Sequence, residues 1–173
     1  MSRLALIGLM VVGMSGAVLA QGAPPTLPGM PAGCGMVSGD FEITEATDLA
    51  ITGSLTGDVE GALAGTVTNS NMISMGIVTI FVARFSGTVT NAEGTYEVVG
   101  RYISVALTPP MGGPPIPLGS IEGLKLLITG GTGAAEGSMG VLTGFHSEQM
   151  NLPAGFPSGY HGVVCTPEPA TTP

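Results

Sequence analysis

The chain has 173 residues, of which 44% are hydrophobic and only 9% are charged, and its formal net charge is −8. This apolar content excludes a disordered chain, and the absence of a triplet glycine period excludes a collagen-like one. The four Lys and Arg residues are too few to neutralise phosphates, so we expect neither a nucleic acid nor an anionic membrane as a partner. The length suits a single turn-rich domain.

Residues 1–20 have the pattern of a secretory signal peptide. Arg3 precedes an apolar run, and the residues Val18 and Ala20 mark a cleavage site after Ala20. The alternative is an uncleaved anchor, because the apolar run is nearly long enough to span a bilayer. We expect cleavage, which predicts a secreted or periplasmic protein without stable membrane insertion.

Proline-rich segments flank the predicted domain, which spans residues 34–165. Residues 21–33 read as an extended linker, and residues 166–173 as a disordered tail. The two cysteines, Cys34 and Cys165, lie at the two edges of the domain. In an exported protein this arrangement predicts one intrachain disulfide, which the chain-entropy model values at about 4–5 kcal/mol.

Between the cysteines, period-two alternation of apolar and polar residues predicts short β-strands separated by turns. The predicted strands include Met36–Ile43, 49–56, Thr95–Leu107 and Tyr160–Cys165. Thr108–Leu118 contains five prolines and is predicted to be a loop. These features predict an all-β domain.

Ile73–Phe85 is the longest apolar run after the signal peptide, and its β-branched and aromatic residues predict one long strand. Closure of a barrel would bury only one face of such a strand. Val78, Ile80 and Val82 on the other face would need a cover, either the 108–118 loop or a second subunit. We expect the second subunit, and hence a homo-oligomer.

Ile121–Phe145 is predicted to form a hairpin with a glycine-rich connection. The segment Gly130–Gly140 reads Gly-Gly-Thr-Gly followed by glycines at 137 and 140, after the strand Leu126–Ile128. This pattern resembles the signature hairpin of the dirigent and allene oxide cyclase barrel superfamily. The resemblance implies an antiparallel eight-stranded barrel with an apolar cavity, often assembled as an oligomer. Ala134 and Ala135 stand where members of the family commonly carry a basic and an aromatic residue, so the activity is not carried over.

Glu97 and Arg101 lie four residues apart on a predicted strand and therefore on the same face. On the inner face they would form a charge pair at a ligand site, whereas on the outer face they would be an exposed pair of little energetic value. Arg84 is a further candidate ligand contact. His146 and His161 have too few acidic neighbours for a zinc site, so we expect no metal. No catalytic residue is assigned.

Together these features predict an exported, non-enzymatic β-barrel that binds a small apolar ligand or serves as a structural surface component, without a cofactor. The alternative is a dirigent-like cyclase or isomerase that templates a reaction in the barrel cavity, and a third possibility is an open β-sandwich used in adhesion. The side chains that line the barrel distinguish the non-enzymatic protein from the enzyme. Convergent polar groups in an apolar pocket favour the enzyme, and a lumen packed with apolar side chains favours the structural role.

Overall fold

The computed structural model describes residues 30–107, 119–148 and 158–167, which form eight β-strands. The strands are β1 (Cys34–Ala46), β2 (Ala50–Gly57), β3 (Gly61–Met75), β4 (Val78–Thr90), β5 (Gly94–Leu107), β6 (Gly119–Gly133), β7 (Met139–Glu148) and β8 (Gly159–Cys165). Each strand pairs antiparallel with the next, and β1 pairs with β8, so the sheet closes into a barrel. The predicted all-β class and eight-stranded antiparallel barrel are confirmed, and the open sandwich is excluded.

Several predicted segments lie outside the described residues. They are the signal peptide 1–20, the linker up to residue 29, the loop 108–118 and the tail from residue 168. Thr166, the first residue of the predicted tail, donates its backbone N–H to the carbonyl of Gly33 over 2.8 Å. The described residues contain no helix that is long and apolar enough to cross a membrane.

The prediction of one strand over Ile73–Phe85 is wrong, because this run forms the tip of a hairpin. β3 ends at Met75 and β4 begins at Val78, so a two-residue turn connects them. Gly76, the first residue of that turn, has a φ of 61°, as a type II′ turn requires of its first central residue. The residues expected to form an exposed stripe are half-buried on the outer face: Val78, Ile80 and Val82.

Inside the barrel, aromatic rings lie over glycines of the inner face. The buried ring of Phe85 lies against Gly65 and Gly100, and a Cβ atom added at either glycine would overlap the ring. Phe41 lies over Gly144 in the same way. An eight-stranded barrel has an interior just wide enough to be filled by side chains, so large rings over small residues fill it without voids.

The predicted disulfide between Cys34 and Cys165 is confirmed, and it lies where the sheet closes. The two cysteines are register partners of β1 and β8, with their Cα atoms 3.8 Å apart, although they lie 131 positions apart in sequence. The bond is consistent with an oxidising, extracellular environment.

One end of the barrel, which we call the sealed end, holds the β2–β3 and β6–β7 turns. Val59 of the β2–β3 turn is buried and belongs to the hydrophobic core. The Tyr160 hydroxyl accepts a hydrogen bond from the Val59 N–H over 2.8 Å and donates one to its carbonyl over 2.9 Å. Burial raises the pKa of Tyr160, so the hydroxyl keeps the proton that this second bond needs. The turn is thus held against the lumen.

Replacing both cysteines, as Cys34→Ser with Cys165→Ser, is expected to lower the free energy of unfolding by about 4 kcal/mol, because the unfolded chain loses a long-range cross-link. Urea unfolding followed by circular dichroism measures the loss. The wild type under reducing conditions should unfold at the same midpoint as the variant. Equal midpoints for the oxidised wild type and the variant would show that the bond does not stabilise the barrel.

Gly100→Ala is expected to destabilise the protein by about 2–3 kcal/mol, because the new methyl group overlaps the buried ring of Phe85. Gly130→Ala is the matched control. A Cβ there meets only the mobile end of the Glu97 side chain at 3.3 Å, so we expect a change below about 0.5 kcal/mol. Equal stability of the two variants in thermal unfolding would contradict the packing of the ring on Gly100.

Candidate functional site

The lumen is filled with apolar side chains through most of its depth. The core consists of buried residues contributed by all eight strands and the β2–β3 turn: Phe41, Ile51, Leu55, Val59, Leu63, Ala83, Phe85, Val89, Val98, Tyr102, Leu124, Leu126, Ile128, Leu142, Tyr160 and Val164. These side chains pack against one another and fill this part of the barrel. By the criterion given above, a lumen packed in this way favours a structural or surface role over catalysis inside the cavity.

At the opposite end, which we call the mouth, a cleft of about 610 Å³ remains open. It lies between the β1–β2 turn and the upper parts of β3, β4 and β5, and its lining residues are Ala46, Thr47, Asp48, Ser70, Asn71, Met72, Phe81, Tyr102 and Ser104. The rings of Phe81 and Tyr102 lie 6.3 Å apart, centroid to centroid, and join the cleft to the core below. The cleft therefore combines an aromatic base with a polar rim.

A hydrogen bond between two side chains lies beside this base. The Tyr102 hydroxyl donates to Oε1 of Glu122 over 2.6 Å. Glu122 is the register partner of Ser104 on β5 and of His146 on β7, so polar side chains of three neighbouring strands meet at the mouth. Since the apolar lumen ends here, the polar groups lie at the boundary between the core and solvent.

Glu122 and Tyr102 are not among the site residues predicted from the sequence, although the strand pattern contains a signal for Glu122. On β6, the inward residues Leu124, Leu126 and Ile128 recur every second position. One further step of two residues towards the start of the strand reaches Glu122. Period two therefore places this carboxylate on the inner face, where a charged residue is unusual.

The charge pair considered for the barrel interior is not formed there. Glu97 and Arg101 are exposed on the outer face of β5, which corresponds to the alternative of an outward pair. Arg84 is also exposed, and it lies directly opposite Arg101 across the β4–β5 ladder. The structure thus brings Arg84 and Arg101 together on the outer wall, and their role in ligand binding stays a prediction.

The two histidines do not share a site. His146 lies near the mouth with its ring 6.2 Å from that of Phe41, whereas His161 is exposed on β8. In the described parts of the chain, no three His, Cys, Asp or Glu side chains are grouped closely enough to hold a metal ion.

Comparison with protein-family models, with curated proteins and with solved structures finds no match to this chain. The resemblance to the dirigent and allene oxide cyclase superfamily therefore stays a prediction from the Gly130–Gly140 hairpin, and the functional argument rests on the geometry of the barrel.

Proposed function

We propose that this protein is an exported, non-enzymatic β-barrel that binds a small apolar ligand in the cleft at its mouth and not in its lumen. The observation that carries the proposal is that the core fills the barrel up to Tyr102 and leaves the cleft above it open. A volume of about 610 Å³ lies within the range of small-molecule sites, about 300–1,000 Å³.

The chemistry of the lining supports an apolar ligand with few polar groups. Phe81 provides aromatic surface above the buried ring of Tyr102, and Met72 provides a flexible side chain that adapts to different shapes. Asn71 and Ser104 place hydrogen-bonding groups at the rim, where they would orient the ligand.

Export to the periplasm or the medium is part of the proposal. It is supported by the signal-peptide pattern of residues 1–20 and by the disulfide between Cys34 and Cys165, which needs an oxidising compartment to persist.

Self-association of the barrel is also proposed, through the outer wall near the mouth. Ile73, Ile80, Val105 and Ile121 are consecutive register partners across β3, β4, β5 and β6, and they form an apolar row. Ile73 is exposed and the others are half-buried, so a second copy would remove further apolar surface from water.

Met72→Glu is expected to weaken binding of the neutral fluorescent probe N-phenyl-1-naphthylamine by about tenfold, because it replaces an apolar contact in the cleft with a charge. Met75→Glu is the control, since Met75 is exposed on the same strand but does not line the cleft. Fluorescence titration measures the affinity of both variants for the probe. Unchanged affinity of the Met72 variant, or equal losses in the two variants, would place the probe elsewhere and contradict the proposal.

The hydrogen bond between Tyr102 and Glu122 favours one second candidate, a cyclase or isomerase that acts on an apolar substrate in the same cleft. Tyr102 lines the cleft, and its phenol together with the Glu122 carboxylate to which it is hydrogen-bonded can donate and accept protons during a rearrangement. Incubating a mixture of apolar metabolites with wild type and with Glu122→Gln, followed by mass spectrometry, tests this candidate. Isomerised products formed by the wild type alone would support it, and identical mixtures would contradict it.

A further inference from the structure

The three Lys and Arg residues in the described parts of the chain stand side by side on the outer wall. Arg84 on β4 lies opposite Arg101 on β5, and Arg101 lies opposite Lys125 on β6. All three are exposed. Since adjacent strands are about 4.8 Å apart, the row, which we call the cationic row, holds three positive charges across a width of about 10 Å.

This arrangement is unfavourable for the chain alone, because like charges directly opposite each other on a sheet repel. None of the three side chains forms an ion pair or a hydrogen bond within the described part of the chain. Three exposed carboxylates of the outer face, those of Asp40, Glu42 and Glu45, lie on β1. In a closed ring of eight strands β1 is diametrically opposite β5. Glu97, also exposed on the outer face of β5, lies four residues from Arg101 along the strand, about 13 Å away, and forms no ion pair with it within the described residues. The repulsion within the row is therefore not relieved by an ion pair.

A groove of about 350 Å³ follows the cationic row and adds apolar surface to it. Val99 on β5 and Leu127 on β6 line the groove next to the cations, and each is about half exposed, at 50% and 47%. They are register partners on adjacent strands, so they form an apolar pair parallel to the cationic row. Thr68 and Ser86 close the end of the groove on the β3–β4 side. Positive charge and apolar surface thus meet in one concave site.

We propose that this groove binds a small amphiphilic anion with a carboxylate, sulfate or sulfonate head and a short apolar body. Arg84 and Arg101 would hold the head, because each guanidinium offers paired donors that match the oxygens of such a group. Val99 and Leu127 would contact the apolar body of the ligand. The site differs from the mouth cleft in position, in charge and in ligand class, so it goes beyond the proposed function. The volume of the groove, about 350 Å³, lies in the range of small-molecule sites and favours a small ligand over the acidic wall of a second copy.

The test uses 8-anilinonaphthalene-1-sulfonate, and N-phenyl-1-naphthylamine as the same ring system without the sulfonate. Arg101→Gln is expected to weaken binding of the sulfonate probe by about tenfold or more, because it removes a charge-assisted hydrogen bond. It should leave binding of the neutral probe unchanged. Leu127→Ser should weaken binding of the sulfonate probe by a smaller factor, because it removes an apolar contact. Because Arg101 and Leu127 are exposed, we expect both variants to fold, and circular dichroism confirms it.

Ala62→Glu, on the exposed face of β3, is the matched control, since it changes the net charge by the same amount without touching the groove. It should alter the affinity for the sulfonate probe by less than about twofold at moderate salt, because screening removes most of a distant charge's effect. Equal losses in Ala62→Glu and Arg101→Gln, or no loss in Arg101→Gln, would overturn the proposal. So would a wild type that self-associates at low salt while Arg101→Gln stays monomeric, because the acidic wall of a second copy would then occupy the row.

Discussion

The ring of Phe85 fills the space that Gly65 and Gly100 leave on the inner face, and the rest of the structure depends on contacts of this kind. A barrel of eight strands can either pack its own side chains or hold one small ligand. Here the aromatic rings occupy the position of a ligand, and the aliphatic residues of the core close around them. The packed side chains of the lumen therefore contribute stability, and the proposed ligand sites lie at the mouth and on the outer wall.

Closure of the sheet is uneven along the barrel. β8 has seven residues and pairs with β1 only over Cys34–Gly39, where the disulfide joins the two strands at their sealed end. Beyond this ladder, β1 and β7 approach each other through the rings of Phe41 and His146. Backbone hydrogen bonds and the disulfide thus join β1 to β8 at the sealed end. Nearer the mouth, the described contact between β1 and β7 is between side chains. Among the described residues, polar side chains of three neighbouring strands meet at the mouth.

The charges of the chain are partly segregated as well. Asp40, Glu42 and Glu45 lie on the outer face of β1, whereas the cationic row crosses β4, β5 and β6 on the other side of the ring, where Glu97 also lies on the outer face of β5. In a protein of net charge −8, the three cations of the row are adjacent and form no ion pair within the described residues. The mouth cleft has the opposite character, with an aromatic base and a mainly neutral rim. The two surfaces therefore differ in the ligand chemistry that each would favour.

Local patterns in the sequence determined the strands, the class and the disulfide. Period-two alternation identifies β5 and β8 almost to the residue, and two cysteines at the edges of one exported domain leave a single pairing within the chain. The alternation did not reveal the turn within Ile73–Phe85, because the turn has only two residues, Gly76 and Ile77, and the segment stays apolar in composition across it. Only Gly76, with its left-handed backbone, marks the turn. The direction in which Glu97 and Arg101 face was also left open by the sequence, since alternation relates residues to one another and not to the axis of a barrel.

Tertiary structure decided what alternation could not, namely which residues of different strands become neighbours. Arg84, Arg101 and Lys125 are 17 and 24 residues apart in sequence, and only the register of two ladders brings them into one row. The same register places Glu122 beside His146, and the bond from Tyr102 completes that group at the mouth. Register depends on bulges, such as the one between Glu97 and Val98, and on the lengths of turns summed around the closed ring. A shift of one residue in a single ladder would send every side chain of that strand to the opposite face, so the candidate sites depend on the register of the ladders that form them.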